Sequence, residues 1–209
     1  NSRTTPPGPP AAVAGRSEAP LLNIANALTV VRLVLVPVFI WLMFRSGDAV
    51  RLVAALVFAL AAATDRLDGQ LARSRNLVTS FGKIADPIAD KALTLSAFVL
   101  LSVAGRLWWW VTVLIIVREL GITLMRFVML RRAVMAASRG GKLKTALQVT
   151  GIFGLLVPWA AFVPPVLATA LDLAAYALVG SALVVTLVTG ADYVLKALRL
   201  SRADPGGRP

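Results

Sequence analysis

From residue 21 onward the chain is a succession of apolar runs, at 27–44, 49–72, 82–104, 108–130, 145–163 and 166–195, parted by short punctuated turns. Each run comes near the ~20 residues an α-helix needs to cross a hydrocarbon core. The turns are marked by Arg45, Ser46, Gly47 and Asp48, by Gly105 and Arg106, by residues 138–141, and by Pro164 and Pro165. A mean hydropathy of +0.79 excludes a disordered basic tail and a soluble nucleic-acid binder. The expected fold class is an all-α integral membrane protein with six transmembrane helices. Residues 1–20, rich in Pro, Gly, Ala and Ser and without period, read as a disordered tail, and residues 199–209 as a C-terminal tail. Residues 21–198 then form one membrane domain, with 21–27 as a short lead-in on the membrane surface. The apolar run after the tail is too long for a signal peptide and lacks a small-residue cleavage site.

Charge sets the expected orientation. The chain holds 22 Lys and Arg against 10 Asp and Glu, a net charge of +12. Arg66, Arg73, Arg75 and Lys83 follow the second run, and Arg131, Arg132, Arg139, Lys142 and Lys144 follow the fourth. The turns on the other side carry only Arg45, Arg51 and Arg106. The positive-inside rule therefore puts both termini in the cytoplasm. Trp108, Trp109 and Trp110 suit an aromatic belt at the opposite face.

With no Cys and no His, the chain has no thiolate nucleophile, no imidazole base and no Cys- or His-ligated metal. Chemistry must run on carboxylates, Lys and Arg, hydroxyls and amides. Four of the ten acids lie between residues 65 and 90, at the membrane ends of the second and third runs. Asp65 and Asp68 are three apart and Asp86 and Asp90 four apart, so each pair shares a helical face. Carboxylates gathered at that depth must be protonated, paired or neutralised by cations. Three readings follow: salt bridges to Arg66, Arg73, Arg75, Lys83 and Lys91; a proton or cation pathway, as in a small transporter; or a metal site serving phosphate chemistry. An all-oxygen donor set favours Mg²⁺, Mn²⁺ or Ca²⁺ over zinc. A transporter would spread its acids through the bilayer depth, whereas these cluster at one end beside Gly69, Ala72, Gly82 and Arg73.

The run Asp65-x₂-Asp68-Gly69-x₂-Ala72-Arg73-x₈-Gly82-x₃-Asp86-x₃-Asp90 resembles the signature of the CDP-alcohol phosphatidyltransferase family. The resemblance implies that family's six-helix membrane fold, a homodimer, and an active site facing the cytoplasm from the plasma membrane. It implies that Asp65, Asp68, Asp86 and Asp90 hold two Mg²⁺ ions, Mn²⁺ being an alternative. It also makes Asp90 the general base that deprotonates the acceptor hydroxyl. Thr29, Arg32, Gly69, Arg73, Thr79 and Gly82 are the positions it assigns to the nucleotide-lipid, CDP-diacylglycerol.

The acceptor is read from a second basic group. Arg118 and Glu119 stand mid-run, where a guanidinium cannot easily reach the interface and should face the bundle interior. Arg126 lies two turns further on, and Lys142, Lys144 and Thr145 open the next helix, whose free N–H groups favour an anion. A phosphorylated acceptor explains this convergence better than a neutral alcohol. The pattern Arg118-Glu119-x₆-Arg126, then Gly141-Lys142-x-Lys144-Thr145-x₂-Gln148, resembles the phosphatidylglycerophosphate synthase branch. That branch implies glycerol 3-phosphate as acceptor. Inositol-phosphate and cardiolipin-type branches of the same family are the alternatives.

Overall fold

A computed structural model of the chain describes residues 24–74, 80–129 and 139–203. Among them are six helices: α1 (Ile24–Met43), α2 (Asp48–Ser74), α3 (Ser80–Val103), α4 (Trp109–Met129), α5 (Arg139–Leu156) and α6 (Pro165–Ala203). A 3₁₀ turn, Trp159–Ala161, separates the last two.

The expected turns at glycine are present, for a backbone reason. Gly105 has φ of +67°, and its flanking bonds, Arg106 N–H to Leu101 O at 2.9 Å and Gly105 N–H to Ser102 O at 3.1 Å, form a Schellman cap on α3. Gly47, at φ +112°, turns α1 into α2, whose first residue, Asp48, puts a negative charge at the positive end of the helix dipole.

Three boundaries differ from the sequence expectation. Residues 139–141, expected as a turn, are helical, so α5 begins at Arg139 rather than 145. Two glycines cost a helix about 1 kcal/mol each, less than the rest of α5 supplies. The same helix stops at Leu156 instead of reaching 163, because Pro158 restricts the residue before it to extended conformations. At its far end α6 runs to Ala203 rather than 195, since Lys196, Ala197, Leu198 and Arg199 are all good helix formers, the two charged ones included. Its start at Pro165 uses the first helical position, where a missing N–H costs nothing.

The helices pack as antiparallel neighbours. Phe39 of α1 meets Phe58 of α2 with ring centroids 5.7 Å apart, and both are fully buried. Ala54, Ala55, Ala61, Ala89 and Ala97 keep the interior of α1–α3 close-packed. Between α5 and α6 the approach is closer still. A Cβ on Gly154 would lie 2.7 Å from that of Ala175, and one on Gly151 would lie 2.8 Å from Val179 Cγ2.

The outer surface is apolar. Val34, Leu56, Leu60, Val117, Leu124, Leu173, Val184 and Val188 all face outward, far more than a water-facing surface carries in contiguous patches. Among the described residues one helix segment, Pro165–Ala191, is by itself long and apolar enough to cross a membrane. The apolar stretches Ala27–Met43, Lys91–Val103 and Leu143–Leu156 are shorter. Charges such as Arg32, Lys91 and Lys144 interrupt or bound those helices, and they are directed to a purpose described below.

The α5–α6 approach is open to test by thermal unfolding in detergent. Gly154→Ala should destabilise the protein by about 1–3 kcal/mol through overpacking. Gly180→Ala, which meets nothing within 4 Å, should instead stabilise it by about 0.5–1 kcal/mol through helix propensity.

Candidate active site

The four aspartates occupy uninterrupted helix. Asp65 and Asp68 fall in the second half of α2, followed by Gly69 and Arg73, while Asp86 and Asp90 fall in the first half of α3, preceded by Gly82. Helical spacing puts Asp65 with Asp68, and Asp86 with Asp90, on common faces. The side chains of residues 65–74, 80–87 and 90 are outside the described set, and Thr79 lies wholly outside the described residues. Among the described residues no three His, Cys, Asp or Glu side chains gather as metal ligands. As a donor set the four aspartates suit a hard divalent cation, being all oxygen with no imidazole or thiolate in the chain.

Helix α1 packs against both α2 and α3. It carries Thr29 and Arg32 inward, at 1% and 0% exposure. A guanidinium so completely withdrawn from solvent is stable only in anionic or strongly accepting surroundings. On α2, Thr64 next to Asp65 is buried and donates to Leu60 O at 2.7 Å.

A second group is resolved in full, and Glu119 is its centre. Its carboxylate is 5% exposed and receives three cations from three helices. Lys91 Nζ of α3 bonds Oε2, Lys144 Nζ of α5 bonds Oε1, and Arg118 of α4 donates to Oε1 at 3.0 Å. Arg118 also reaches α6, donating from Nε to Thr186 O at 2.9 Å and to Thr189 Oγ1 at 2.7 Å. Gly190 makes room for it: a Cβ there would sit 3.3 Å from the Arg118 side chain. Among the described residues three cations meet one carboxylate, a formal surplus of two positive charges. That surplus is of the sign that suits an anionic ligand.

Of the residues assigned to the acceptor from sequence, the structure brings Arg118, Glu119 and Lys144 together. Thr145 is half-buried beside Lys144 on α5. Arg126 lies in α4 and Lys142 in α5, with side chains outside the described set. Sequence reasoning missed Lys91 as a member of this group and treated it as a possible partner for the aspartates; its resolved partner is Glu119. The available signal was its position, a charge at the head of an apolar stretch and one residue after Asp90. Thr186 and Thr189 gave no signal at all, being ordinary residues on an apolar helix.

A separate polar latch sits at the other end of the bundle. Arg106 pairs with Asp172 at 2.6 Å, and Tyr176 donates its hydroxyl to Arg106 O at 2.6 Å. Trp108 stacks at a tilt on Tyr176 with centroids 5.8 Å apart. This group joins the α3–α4 turn to α6 and holds no cluster of unpaired charge.

Comparison with known proteins adds what the chain is similar to. The family model described as CDP-alcohol phosphatidyltransferase matches residues 22–192. A probable phosphatidylglycerophosphate synthase of Mycobacterium tuberculosis is 50% identical over 198 residues, covering 93% of this chain and 88% of that protein. A CDP-diacylglycerol–glycerol-3-phosphate 3-phosphatidyltransferase of Bacillus subtilis is 35% identical, over 66% of this chain and 78% of its own length. The protein of the same description from Rickettsia typhi is 39% identical over 65% of this chain and 76% of its own.

Removing the central carboxylate should be costly, because it strands three cations. Glu119→Gln should lower unfolding stability by about 3–5 kcal/mol, measured by thermal or denaturant unfolding in detergent. Replacing the exposed Leu120 beside it with Ala should change stability by no more than ~0.5 kcal/mol.

Proposed function

The chain belongs to the CDP-alcohol phosphatidyltransferase family, and from that membership we propose that it transfers the phosphatidyl group of CDP-diacylglycerol to sn-glycerol 3-phosphate. The products are phosphatidylglycerophosphate and CMP. The observation that carries the choice of a phosphorylated acceptor over a neutral alcohol is the buried group of Lys91, Arg118 and Lys144 around Glu119. Its surplus of two positive charges suits a phosphomonoester, which carries about −1.5 to −2 near neutral pH. The names of the relatives from Bacillus subtilis and Rickettsia typhi point to the same acceptor.

In this reading Thr29, Arg32, Gly69, Arg73, Thr79 and Gly82 hold the CDP portion of the donor. The glycines let the diphosphate approach the helix backbones, and the guanidinium groups balance its charge. Arg118, Arg126, Lys142, Lys144 and Thr145 hold the phosphate of the acceptor, with Glu119 fixing the cations. Asp65, Asp68, Asp86 and Asp90 would hold two divalent ions, Mg²⁺ or Mn²⁺. When bound, these polarise the diphosphate and offset charge that develops in the transition state.

Asp90 takes the proton from the 1-hydroxyl of glycerol 3-phosphate. The freed oxygen forms its bond to the phosphatidyl phosphorus in line with the departing group. The bond from that phosphorus to the bridging oxygen breaks, and CMP leaves with the electron pair. Both substrates are anionic, so neighbouring cations lower the repulsion between them as much as they bind either one. The catalytic unit spans residues 21–198, crosses the plasma membrane six times with both termini in the cytoplasm, and works as a homodimer.

Purified protein given CDP-diacylglycerol, Mg²⁺ and one acceptor at a time tests the assignment. CMP should be released with glycerol 3-phosphate, and not with inositol phosphate or phosphatidylglycerol. Release with inositol phosphate alone would overturn it. Asp90→Asn should reduce turnover by at least ~10²-fold while CDP-diacylglycerol binding persists. Chelation of divalent ions should abolish CMP release, and Mg²⁺ or Mn²⁺ should restore it.

A further inference from the structure

Gln148 lies one helical turn beyond Lys144 on α5, so the two side chains share a face. That face is the one that delivers Lys144 to Glu119. Gln148 is 3% exposed, and its Nε2 amide has no acceptor among the described residues. A second buried polar atom without a partner, Thr186 Oγ1, stands on α6 in the residue whose carbonyl receives Arg118. The antiparallel contacts of Gly151 with Val179 and Gly154 with Ala175 place Lys144 level with Thr186 and Gln148 level with Ala182. Thus two unsatisfied donors border a cluster that, among the described residues, carries surplus positive charge.

Buried polar groups are nearly always hydrogen-bonded, and leaving an amide unpaired costs about as much as a lost hydrogen bond. A glutamine of this kind is a poor choice for packing, since leucine has a similar volume and no amide to desolvate. Its N–H groups become useful when an acceptor-only anion enters beside the cations. A phosphate oxygen is such an acceptor, and the charge surplus of the cluster is of the right sign and size to bring it there.

We propose that Gln148 is a specificity-determining residue of the acceptor site, donating its Nε2 hydrogen to the phosphate of the phosphomonoester that Lys91, Arg118 and Lys144 attract. The inference rests on the reading of the chain as a glycerol-3-phosphate phosphatidyltransferase, and it adds Lys91 and Gln148 to the groups that recognise the acceptor. The signature of such a residue is a trade between binding and stability. Removing an unsatisfied amide from the interior relieves the empty protein, whereas the loaded protein loses a hydrogen bond to a charged group.

The test uses the full chain in detergent, comparing wild type with Gln148→Leu and Gln148→Glu. For Gln148→Leu the KM for glycerol 3-phosphate should rise ~10-fold or more, the KM for CDP-diacylglycerol should stay within about twofold, and Tm should be unchanged or higher. Gln148→Glu should raise the acceptor KM further by adding a like charge to the site. An unaltered acceptor KM in both variants would overturn the proposal. So would a fall in Tm with both KM values moving together, which is the mark of a packing role. Inorganic phosphate supplies a second arm independent of turnover: it should raise the Tm of wild type more than that of Gln148→Leu. Should wild type release no CMP with glycerol 3-phosphate, the reading of the acceptor fails, and the phosphate arm alone then decides the role of Gln148. Equal shifts in wild type and variant refute it.

Discussion

A single buried carboxylate organises the interior of this protein. Glu119 brings together Lys91, Arg118 and Lys144, so α3, α4 and α5 converge on two oxygen atoms, and Arg118 joins α6 to them through the backbone at Thr186. Ammonium and guanidinium groups at this depth are tolerated only where an anion meets them. One carboxylate is too little for three cations, and that imbalance gives the cluster its chemistry.

The two halves of the candidate site are built from opposite materials. Helices α2 and α3 carry the acids, and α1, which buries Thr29 and Arg32, packs against both helices; α4, α5 and α6 carry the cluster around Glu119. The halves meet on α3, where Asp90 and Lys91 are consecutive. Consecutive residues on a helix point about 100° apart, so one turn of α3 can serve both sides. A phosphoryl transfer between two anions needs this juxtaposition: cationic holding groups for each substrate, and a base at the boundary between them.

Much of this was legible in the sequence because helical spacing is a one-dimensional property. Asp65, Asp68, Asp86 and Asp90 announce common faces by their intervals alone, and Arg118 and Glu119 stand out because charge at mid-membrane demands a reason. The glycine turns at Gly47 and Gly105 were equally readable. What escaped were contacts fixed by packing between helices far apart in the chain. Lys91 was visible as a charge, yet nothing local says that it turns to Glu119, 28 residues on, instead of to the neighbouring acids. Thr186 and Thr189 became relevant only when α6 was laid beside α4. The start of α5 was misplaced because Gly140 and Gly141 resemble a turn when read singly, although the surrounding helix outweighs them.

The close approach of α5 and α6 bears on how a lipid reaches such an interior. At Gly151 and Gly154 the backbone of α5 meets Val179 and Ala175 of α6 with no α5 side chain between them. A seam closed by backbone has no hinged door. The acyl tails of a double-chained donor must remain among the lipids while its head group passes inward, so the crack through which they trail has to run along another helix boundary. Two glycines thus make α5 and α6 a closely packed wall of the bundle, one along which a double-chained lipid would find no gap to enter.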